Sequence, residues 1–544
     1  MTGVLTGGRG GVVARTAACR GGVAAACWIA AMTWASTAHA TGFTDIGQDI
    51  RLHDDDEFSL EIDGYLRLRG EILHNLDLDR GVSPSGEVLF PVPIDDPQAQ
   101  TLYETDMRLR TDLAIYAPGG TVAVKLRLDT LDNLALGSTP DGAPSASTTQ
   151  RALENAIHVR RAYGEVLTPF GVLAAGRMGN TWGLGMLANG GDCGDCDSGD
   201  AQDRIAFISP IAGHLWALSF DLTSSGPQIP RRSGFRPIDI TPVDDVRTVT
   251  FAMMNWLGEE PRLRRHRAGR TTFEYGAYVS HRWQDGDIPA TYVPTATPVT
   301  LTPQQVMPRG FMATAVDVWA RIQGPEFRIE FEAAYLHGSV DQPSLVPGAL
   351  LRDGVTSNQF GAVIETDFLD PNGPFTFGLD AGLASGDSAP GFGAYPRVGQ
   401  AYGQPGDVDA PQANIPYDNS IDNFRFHPDY RIDRILFREI IGTVTDAFYF
   451  RPHVRYRAFD EPFGRLELSV FAVTSFAMEV ASTPGGDRPL GLEIDPSLYY
   501  QSREGFAVAV DYAVLVPFSG LDNPAMSLRA QPAQLARLRL MYAF

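Results

Sequence analysis

One repeated pattern decides what this chain can fold into, an alternation of apolar and charged residues with a period of two. Between Phe58 and Leu73, for example, Leu66 and Leu68 alternate with Arg67 and Arg69. In a β-strand this alternation places apolar side chains on one face and charged side chains on the other. Similar segments recur at 107–115, 122–129, 273–282 and 327–335, and the whole chain holds about 18 of them. The pattern predicts an all-β protein.

The connectors between these segments alternate in length. Short connectors are expected at 117–120, 168–171, 209–213, 324–325, 370–373, 460–464 and 503–505, and long ones at 74–102, 133–156, 179–201, 223–244, 284–310, 339–354, 386–443, 479–491 and 517–533. Barrels of the outer membrane have short periplasmic turns and long extracellular loops, whereas a soluble sandwich has no reason for this alternation. We therefore predict a transmembrane antiparallel β-barrel of about 18 strands. The basic connector at 258–269 is longer than its short counterparts, and the loops around Cys193 and from 386 to 443 are candidates for folding inward or capping the mouth of the barrel.

The amino-terminal segment has the features of an export signal. Three arginines precede a short apolar stretch at 21–35, and Ala38 and Ala40 occupy the two positions that a signal peptidase recognises. We expect Sec-type export and an outer-membrane location, with a cleaved signal peptide at 1–40, a short periplasmic segment at 41–57 and one barrel domain at 58–544. The net charge of −21 argues against a nucleic-acid partner.

The carboxyl-terminal segment keeps the alternation up to the last residue, with Leu538, Leu540, Tyr542 and Phe544 on one face. It resembles the terminal strand of Gram-negative outer-membrane barrels, whose last residue is typically Phe. This resemblance implies that the barrel assembly machinery recognises the strand and inserts the chain into outer-membrane lipid.

Two further stretches resemble known barrels. The segments 160–165 and 170–177 look like a hairpin of porins and alginate-export-type barrels, and the Ser385-Gly386-Asp387 step before the long loop is similar to alginate-export-type proteins. The chain is most similar to an uncharacterised secreted barrel family that carries Gly-Arg-Met-Gly-x-x-Trp-Gly-Leu-Gly-Met-Leu, here 176–187. That last resemblance implies an architecture and no assigned ligand.

Charged residues within the strands predict the lining of the lumen, because a charge on the lipid face at mid-membrane costs about 2 to 4 kcal/mol. The expected basic lining is Arg67, Arg69, Arg108, Arg110, Lys125, Arg127, Arg537 and Arg539. The expected acidic lining is Glu274, Asp317, Glu326, Glu330, Glu332, Glu365, Asp367 and Asp380. Barrel closure places the last strand beside the first, so the basic residues are expected to form one wall opposite the acidic one. A barrel this wide can hold a water-filled pore; alternatively, the opposed charges pair and plug the lumen.

Cys193 and Cys196 are the cysteines that remain after removal of the expected signal peptide. We expect a local disulfide, because the periplasm is oxidising. A zinc site requires two further nitrogen or sulfur ligands, and a redox pair requires a thioredoxin-like context, which is absent. The acidic residues of the same stretch are an alternative source of oxygen ligands for Ca²⁺, although their spacing is not that of an EF-hand. These residues are Asp192, Asp195, Asp197, Asp200 and Asp203. No other cofactor is expected.

The sequence contains no His-Glu-x-x-His, no Gly-x-x-x-x-Gly-Lys and no Ser-x-x-Lys segment, so we do not expect an enzyme. The expected function is a porin-like channel for passive or facilitated diffusion of a small polar or charged solute. Two alternatives stay open at this point. One is an alginate-export-like polyanion exporter, which requires a lumen that is basic around its circumference. The other is a non-conducting surface adhesin or scaffold, which requires no open lumen.

Overall fold

In the computed structural model, 18 antiparallel strands of the described residues close into one barrel. The structure describes residues 42–47, 57–137, 157–230, 236–288, 303–346, 349–370, 373–394, 403–413 and 418–544. The barrel strands are β1 (Ser59–His74), β2 (Thr101–Tyr116), β3 (Val122–Ala135), β4 (Ile157–Thr168), β5 (Gly171–Gly179), β6 (Ala201–Ile211), β7 (His214–Ser224), β10 (Val246–Asn255), β11 (Thr272–Asp287), β12 (Met307–Gln323), β13 (Phe327–Val340), β14 (Val355–Leu369), β15 (Phe375–Ala384), β16 (Ala447–Glu461), β17 (Gly464–Ala477), β18 (Pro489–Ser502), β19 (Phe506–Pro517) and β20 (Ala533–Ala543). A small hairpin, β8 (Gln228–Pro230) and β9 (Pro237–Asp239), lies in the loop between β7 and β10.

The barrel closes between its first and last strands. Strand β20 pairs with β1 in a register that places Arg539 opposite Arg69. The last residue extends this pairing, because the Phe544 backbone N–H donates to the Gly64 carbonyl oxygen at 3.0 Å and the Gly64 N–H donates to the Phe544 oxygen at 3.2 Å. The predicted adjacency of the first and last strands is therefore confirmed.

The predicted alternation of connector lengths is also confirmed, with short turns at one end of the barrel and long loops at the other. We call these ends the turn end and the loop end. The exceptional connector at 258–269 forms helix α1 (Glu259–Arg267), which the sequence pattern did not predict. Its first turn carries two glutamates and its last turn is basic, an order that suits the helix dipole. Among the described residues, no helix has the length and apolar character needed to cross a membrane.

The two faces of each strand differ as the alternation predicts. On β12, Val316 and Val318 point outward and are 42% and 44% exposed, whereas Asp317 and Trp319 point into the lumen and are 0% and 2% exposed. An apolar outer surface around a polar interior is compatible with the hydrocarbon core of a membrane. In that environment all backbone N–H and C=O groups must form hydrogen bonds within the barrel.

Residues 42–47, which precede the first strand, lie in the lumen. The predicted signal peptide at 1–40 lies outside the described residues. Residues 42–47 lie against the lumen faces of β4 to β6, where Phe43 and Ile46 pack with Met178 and Ala206. Residues 42–47 of the predicted periplasmic segment at 41–57 are therefore inside the barrel.

The outer face of β12 generates a prediction about assembly. Replacement of Val318 by Arg places a charge in the middle of the apolar surface and is expected to cost about 2 to 4 kcal/mol, whereas Met312→Arg, nearer the loop end, is expected to cost about 0 to 1 kcal/mol. The measurement is the amount of heat-modifiable folded barrel in outer-membrane fractions. Equal folded amounts for the two variants would contradict the assigned faces.

Candidate functional site in the barrel lumen

Two loops from the loop end fold into the barrel, as the sequence suggested. We call residues 180–200 the Cys loop and the described residues 385–394, 403–413 and 418–446 the long loop. Met186 of the Cys loop and Ile435 and Phe437 of the long loop are at most 2% exposed, and they share one hydrophobic cluster with the lumen-facing Val363 of β14. The loop half of the lumen therefore contains a packed protein core.

The eight predicted basic residues all lie on the lumen side of their strands. Seven of them contact the Cys loop: Arg67, Arg69, Arg108, Arg110, Arg127, Arg537 and Arg539. Lys125 pairs instead with Glu165 of β4, with the Nζ and Oε1 atoms 3.1 Å apart. The predicted basic wall exists, but the Cys loop covers most of it.

Aspartates of the Cys loop bind this wall through ion pairs. The Asp197 carboxylate lies 3.0 Å from Nη1 of Arg69 and 2.7 Å from Nη2 of Arg431 in the long loop. The Asp195 carboxylate lies 2.9 Å from Nη1 of Arg539 and 2.7 Å from Nη1 of Arg438. Each of these two carboxylates thus joins the barrel wall to the long loop.

Asp192 is the third aspartate of the Cys loop that forms ion pairs with arginines of the wall. Its Oδ1 atom is 2.7 Å from Nη2 of Arg161 and also pairs with Arg127. A guanidinium forms strong charge-assisted hydrogen bonds with a carboxylate. The acidic residues of the Cys loop therefore occupy the positions at which an anion in the lumen would meet the basic wall.

Backbone carbonyl groups of the Cys loop add to this contact. Arg110 donates from Nη1 to the Gly191 oxygen at 2.6 Å, and Arg108 donates from Nη1 to the Cys196 oxygen at 2.5 Å. Cys193 and Cys196 form a disulfide with their Cα atoms 5.1 Å apart. The bridge closes a tight turn that points its carbonyl oxygens at the arginines.

The carboxylates considered as Ca²⁺ ligands have other partners. Asp192, Asp195 and Asp197 face guanidinium groups, Asp203 pairs with Arg177 on the outer face, and Asp200 lies 3.7 Å from His427. In the part of the chain that the structure describes, no three His, Cys, Asp or Glu side chains are placed to hold a metal ion.

The Cys loop is anchored by a buried carboxylate on the opposite wall. Glu332 of β13 accepts hydrogen bonds from the backbone N–H groups of Leu184, Met186 and Leu187, the last at 3.3 Å. Gly183 and Gly185 have φ angles of +55° and +84°, which side chains disfavour and which turn the backbone around this carboxylate. The second half of the 176–187 segment is therefore a carboxylate-binding turn.

The long loop has an anchor of the same kind. Glu493 of β18 accepts hydrogen bonds from the N–H groups of Arg434, Ile435 and Leu436 at 2.8, 2.8 and 3.0 Å. A π-helical turn follows at Leu436–Ile440. Glu493 was not among the predicted lumen residues. Its only signal in the sequence is that it shares one face of β18 with Asp495, and this signal does not identify the loop amides that it binds.

The predicted acidic residues also face the lumen, except Glu326, which lies in the turn before β13. Most are paired with arginines of the same strand or of a strand one or two positions away. Glu274 pairs with Arg321 at 2.8 Å, Glu330 and Glu365 with Arg328 at 2.6 and 3.1 Å, Asp380 with Arg451 at 3.2 Å and Asp367 with Arg455 at 3.2 Å. Asp317 accepts from Trp182 Nε1 at 2.9 Å, and Glu332 is the anchor described above. The two expected charged walls are therefore built largely of internal ion pairs.

Some charged side chains nearer the turn end keep partial contact with solvent, whereas Glu274, Arg321 and Glu330 in the same half are at most 6% exposed. Four of the partly exposed side chains form what we call the exposed strip: Arg328, Arg455, Glu467 and Arg539, whose side chains are 16% to 28% exposed. They lie in the halves of β13, β16, β17 and β20 that are nearer the turn end. The lumen therefore combines a packed core of loop residues with a few partly exposed charged side chains of both signs.

The two inward loops contain carboxyl groups with opposite pKa shifts. Burial alone would raise the pKa of Asp195, but the guanidinium groups of Arg438, Arg539 and Arg537 hold it well below its usual value of 3.8. Burial raises the pKa of Asp446, at the end of the long loop, to about 7. Asp446 accepts hydrogen bonds from the Glu479 N–H at 2.8 Å and from the Ser482 hydroxyl. The first carboxyl group is held as an anion, and the second is held towards its neutral form.

No protein-family model matches the chain. No curated protein matches it. Among solved structures it is similar to OccK9 (OpdG) of Pseudomonas aeruginosa, with 13% identity over 89% of this chain and 98% of that one and a TM-score of 0.47. It is also similar to OccAB2 of Acinetobacter baumannii, with 11% identity, coverages of 90% and 99% and a TM-score of 0.42. A third similar structure is the outer membrane channel DcaP of Acinetobacter baumannii, with 12% identity over 90% of this chain and 97% of that one and a TM-score of 0.34. Similarities this distant assign neither a family nor a function, and the resemblance to alginate-export-type barrels stays a prediction.

Removal of the Glu332 carboxylate is expected to release the turn of the Cys loop. Glu332→Ala leaves three buried N–H groups without their acceptor, and each such group costs about 1 to 3 kcal/mol. We expect faster amide hydrogen exchange at Leu184 to Leu187, measured by mass spectrometry on the folded barrel. Glu467→Ala, which removes a partly exposed glutamate, is the matched control and should leave this exchange unchanged. Equal exchange in both variants would contradict the anchor.

The pKa shifts predict opposite pH responses in the two loops. The pKa of Asp195 is lowered on folding, so its stabilising contribution is present above about pH 4 and is lost only as the pH falls through the depressed value. The pKa of Asp446 is raised to about 7, so its contribution is present below pH 3.8 and is lost as the pH rises through 7.

Hydrogen exchange from pH 4 to pH 8, corrected for intrinsic rates, measures both responses in one sample. Protection at 192–197 should stay constant, whereas protection at 478–482 should fall by an amount on the order of 4 kcal/mol. The Asp446→Asn variant should lose the second response. A pH-independent 478–482 segment in the unmodified chain would refute the assignment for Asp446.

Proposed function

We propose that the chain is an outer-membrane channel for small polar or charged solutes, with a passage narrowed by the Cys loop and the long loop. The observation that carries the proposal is the exposed strip, a set of charged lumen residues that keep contact with solvent inside a closed barrel with an apolar outer surface. A polar, solvent-contacting lumen inside an apolar outer surface is typical of outer-membrane barrels and not of soluble proteins.

The proposal includes a location and a route. The apolar outer face suits outer-membrane lipid, and the long loops then lie outside the cell with the short turns in the periplasm. The same proposal includes export through a cleaved signal peptide at 1–40. It also includes recognition of the strand ending at Phe544 by the barrel assembly machinery. The paired backbone of Phe544 and Gly64 supports a role for the last residue in closing the barrel.

The mixture of charges limits the class of solute. In the exposed strip, Arg328, Arg455 and Arg539 stand with Glu467, and Arg455 itself lies 3.2 Å from Asp367. A polyanion exporter requires basic residues around the lumen, so this mixture favours small solutes with both charged and polar groups over long polyanions. The filled loop half favours a second candidate, a non-conducting surface scaffold.

A planar-bilayer recording separates the channel from the scaffold. The purified, folded chain should produce stepwise conductance in a panel of salts, because water and ions reach the exposed strip. Heat-denatured protein is the control for detergent artefacts. The complete absence of steps from folded protein would reject the channel in favour of the scaffold.

Ion selectivity should depend on the exposed strip. Arg455→Ala is expected to shift the reversal potential towards cation selectivity at low salt, and Glu467→Gln is expected to shift it towards anion selectivity, because each removes a lumen charge. Both shifts should shrink at molar salt, where the Debye length falls to about 3 Å.

The matched control for selectivity is Arg177→Ala. Arg177 is 50% exposed on the outer face and pairs with Asp203 at 2.7 Å, so its charge does not face the lumen. An Arg177 variant that shifts the reversal potential as much as Arg455→Ala would contradict the assignment of the permeation path.

A further inference from the structure

A short segment before the first strand occupies a groove in the barrel wall. Residues 42–47, Gly-Phe-Thr-Asp-Ile-Gly, lie inside the lumen, and their Phe43 and Thr44 side chains are each 2% exposed. None of the sequence patterns that predicted the barrel accounts for this segment. Its burial shows that the lumen wall provides a binding surface for it.

The groove fixes both ends of the segment through backbone hydrogen bonds. The Gly42 N–H donates to the Thr181 carbonyl oxygen of the Cys loop at 2.7 Å. The Gly47 N–H donates to Oε2 of Glu165 on β4 at 2.9 Å. A side chain at residue 42 would meet the Gly179 oxygen at 2.8 Å, so the close approach there requires glycine.

An aromatic pocket holds the middle of the segment. The Phe43 ring lies 5.2 Å from the guanidinium carbon of Arg204, within the range of a cation–π contact. Phe43 and Ile46 belong to one hydrophobic cluster with Ala174, Met178 and Trp182. The small Ala174 side chain, 0% exposed, leaves room for the segment at the wall.

Lys125, the only lysine in the chain, also contacts the segment. Its Nζ atom donates to the Asp45 carbonyl oxygen at 3.3 Å and pairs with Glu165, which also binds the Gly47 N–H. Lys125 is therefore the one basic residue of the predicted wall that holds the amino-terminal segment and not the Cys loop.

We propose that residues 42–47 are a built-in ligand of this groove and occlude part of the passage, and that the vacated groove binds a peptide of the same sequence and turn conformation. The groove offers hydrogen-bonding groups to the peptide backbone at both ends and an apolar pocket with a guanidinium face for an aromatic side chain. The effect on conductance rests on the proposed channel function, whereas occupation of the groove does not.

The unique lysine gives a readout that does not require conduction. In the folded chain, Lys125 should react slowly with a small amine-acetylating reagent, and peptide mapping by mass spectrometry distinguishes it from the α-amino group. Deletion of residues 42–47, or Phe43→Ala, should speed its acetylation by about tenfold, which corresponds to about 1.4 kcal/mol of lost binding free energy. Phe170→Ala, at a turn-end phenylalanine that is 79% exposed, is the matched control and should leave the rate unchanged.

Single-channel recording tests the occlusion. The deletion should raise the conductance, and the acetylated peptide Gly-Phe-Thr-Asp-Ile-Gly added to the deleted chain should lower it and slow the acetylation of Lys125 again. An unchanged acetylation rate in both the deletion and Phe43→Ala would overturn the groove assignment. Faster acetylation with unchanged conductance in a conducting chain would overturn the occlusion. Absence of conductance from every variant would reject the proposed channel, while the acetylation rates would still decide the groove.

Discussion

The inward loops depend on two buried glutamates, Glu332 on β13 and Glu493 on β18. Each carboxylate accepts hydrogen bonds from three backbone N–H groups of one loop. A buried carboxylate is costly unless it is fully hydrogen-bonded, and buried N–H groups are costly unless they find an acceptor. The wall and the loop therefore offset each other's desolvation penalty.

This constraint decides what the lumen charges do. With the Cys loop held at Glu332, Asp195 and Asp197 reach Arg69 and Arg539 on the basic wall and Arg431 and Arg438 on the long loop. Breaking one partner of such a buried pair leaves an uncompensated charge, which is strongly destabilising. The loop half of the barrel is thus filled by paired charges, and the residues of the exposed strip are themselves in ion pairs but keep partial contact with solvent.

The sequence predicted the architecture well because strand alternation, connector length and the terminal Phe544 are local properties of the chain. It also predicted which faces point inwards, since a one-residue error in register would place Asp317 or Arg108 in lipid. It did not predict the partners. That Asp195 meets Arg539, or that Glu493 binds the amides of 434–436, depends on how loops distant in sequence fold into the lumen, and no local pattern contains that information. Helix α1 was missed because a single basic connector resembles an ordinary turn.

The accessibility of the native cysteines tests the central claim, that the Cys loop is held inside the lumen by contacts other than its disulfide. Cys196 is 1% exposed beneath the arginines of the wall and the long loop. After reduction by a small phosphine, the folded barrel is treated with a polyethylene-glycol maleimide too bulky to enter the lumen, and a denatured sample serves as the control for complete reduction. The account predicts that both cysteines react in the denatured sample and that neither reacts in the folded barrel. Rapid labelling of Cys193 and Cys196 in the folded barrel would show that the loop lies outside the lumen and would contradict the account.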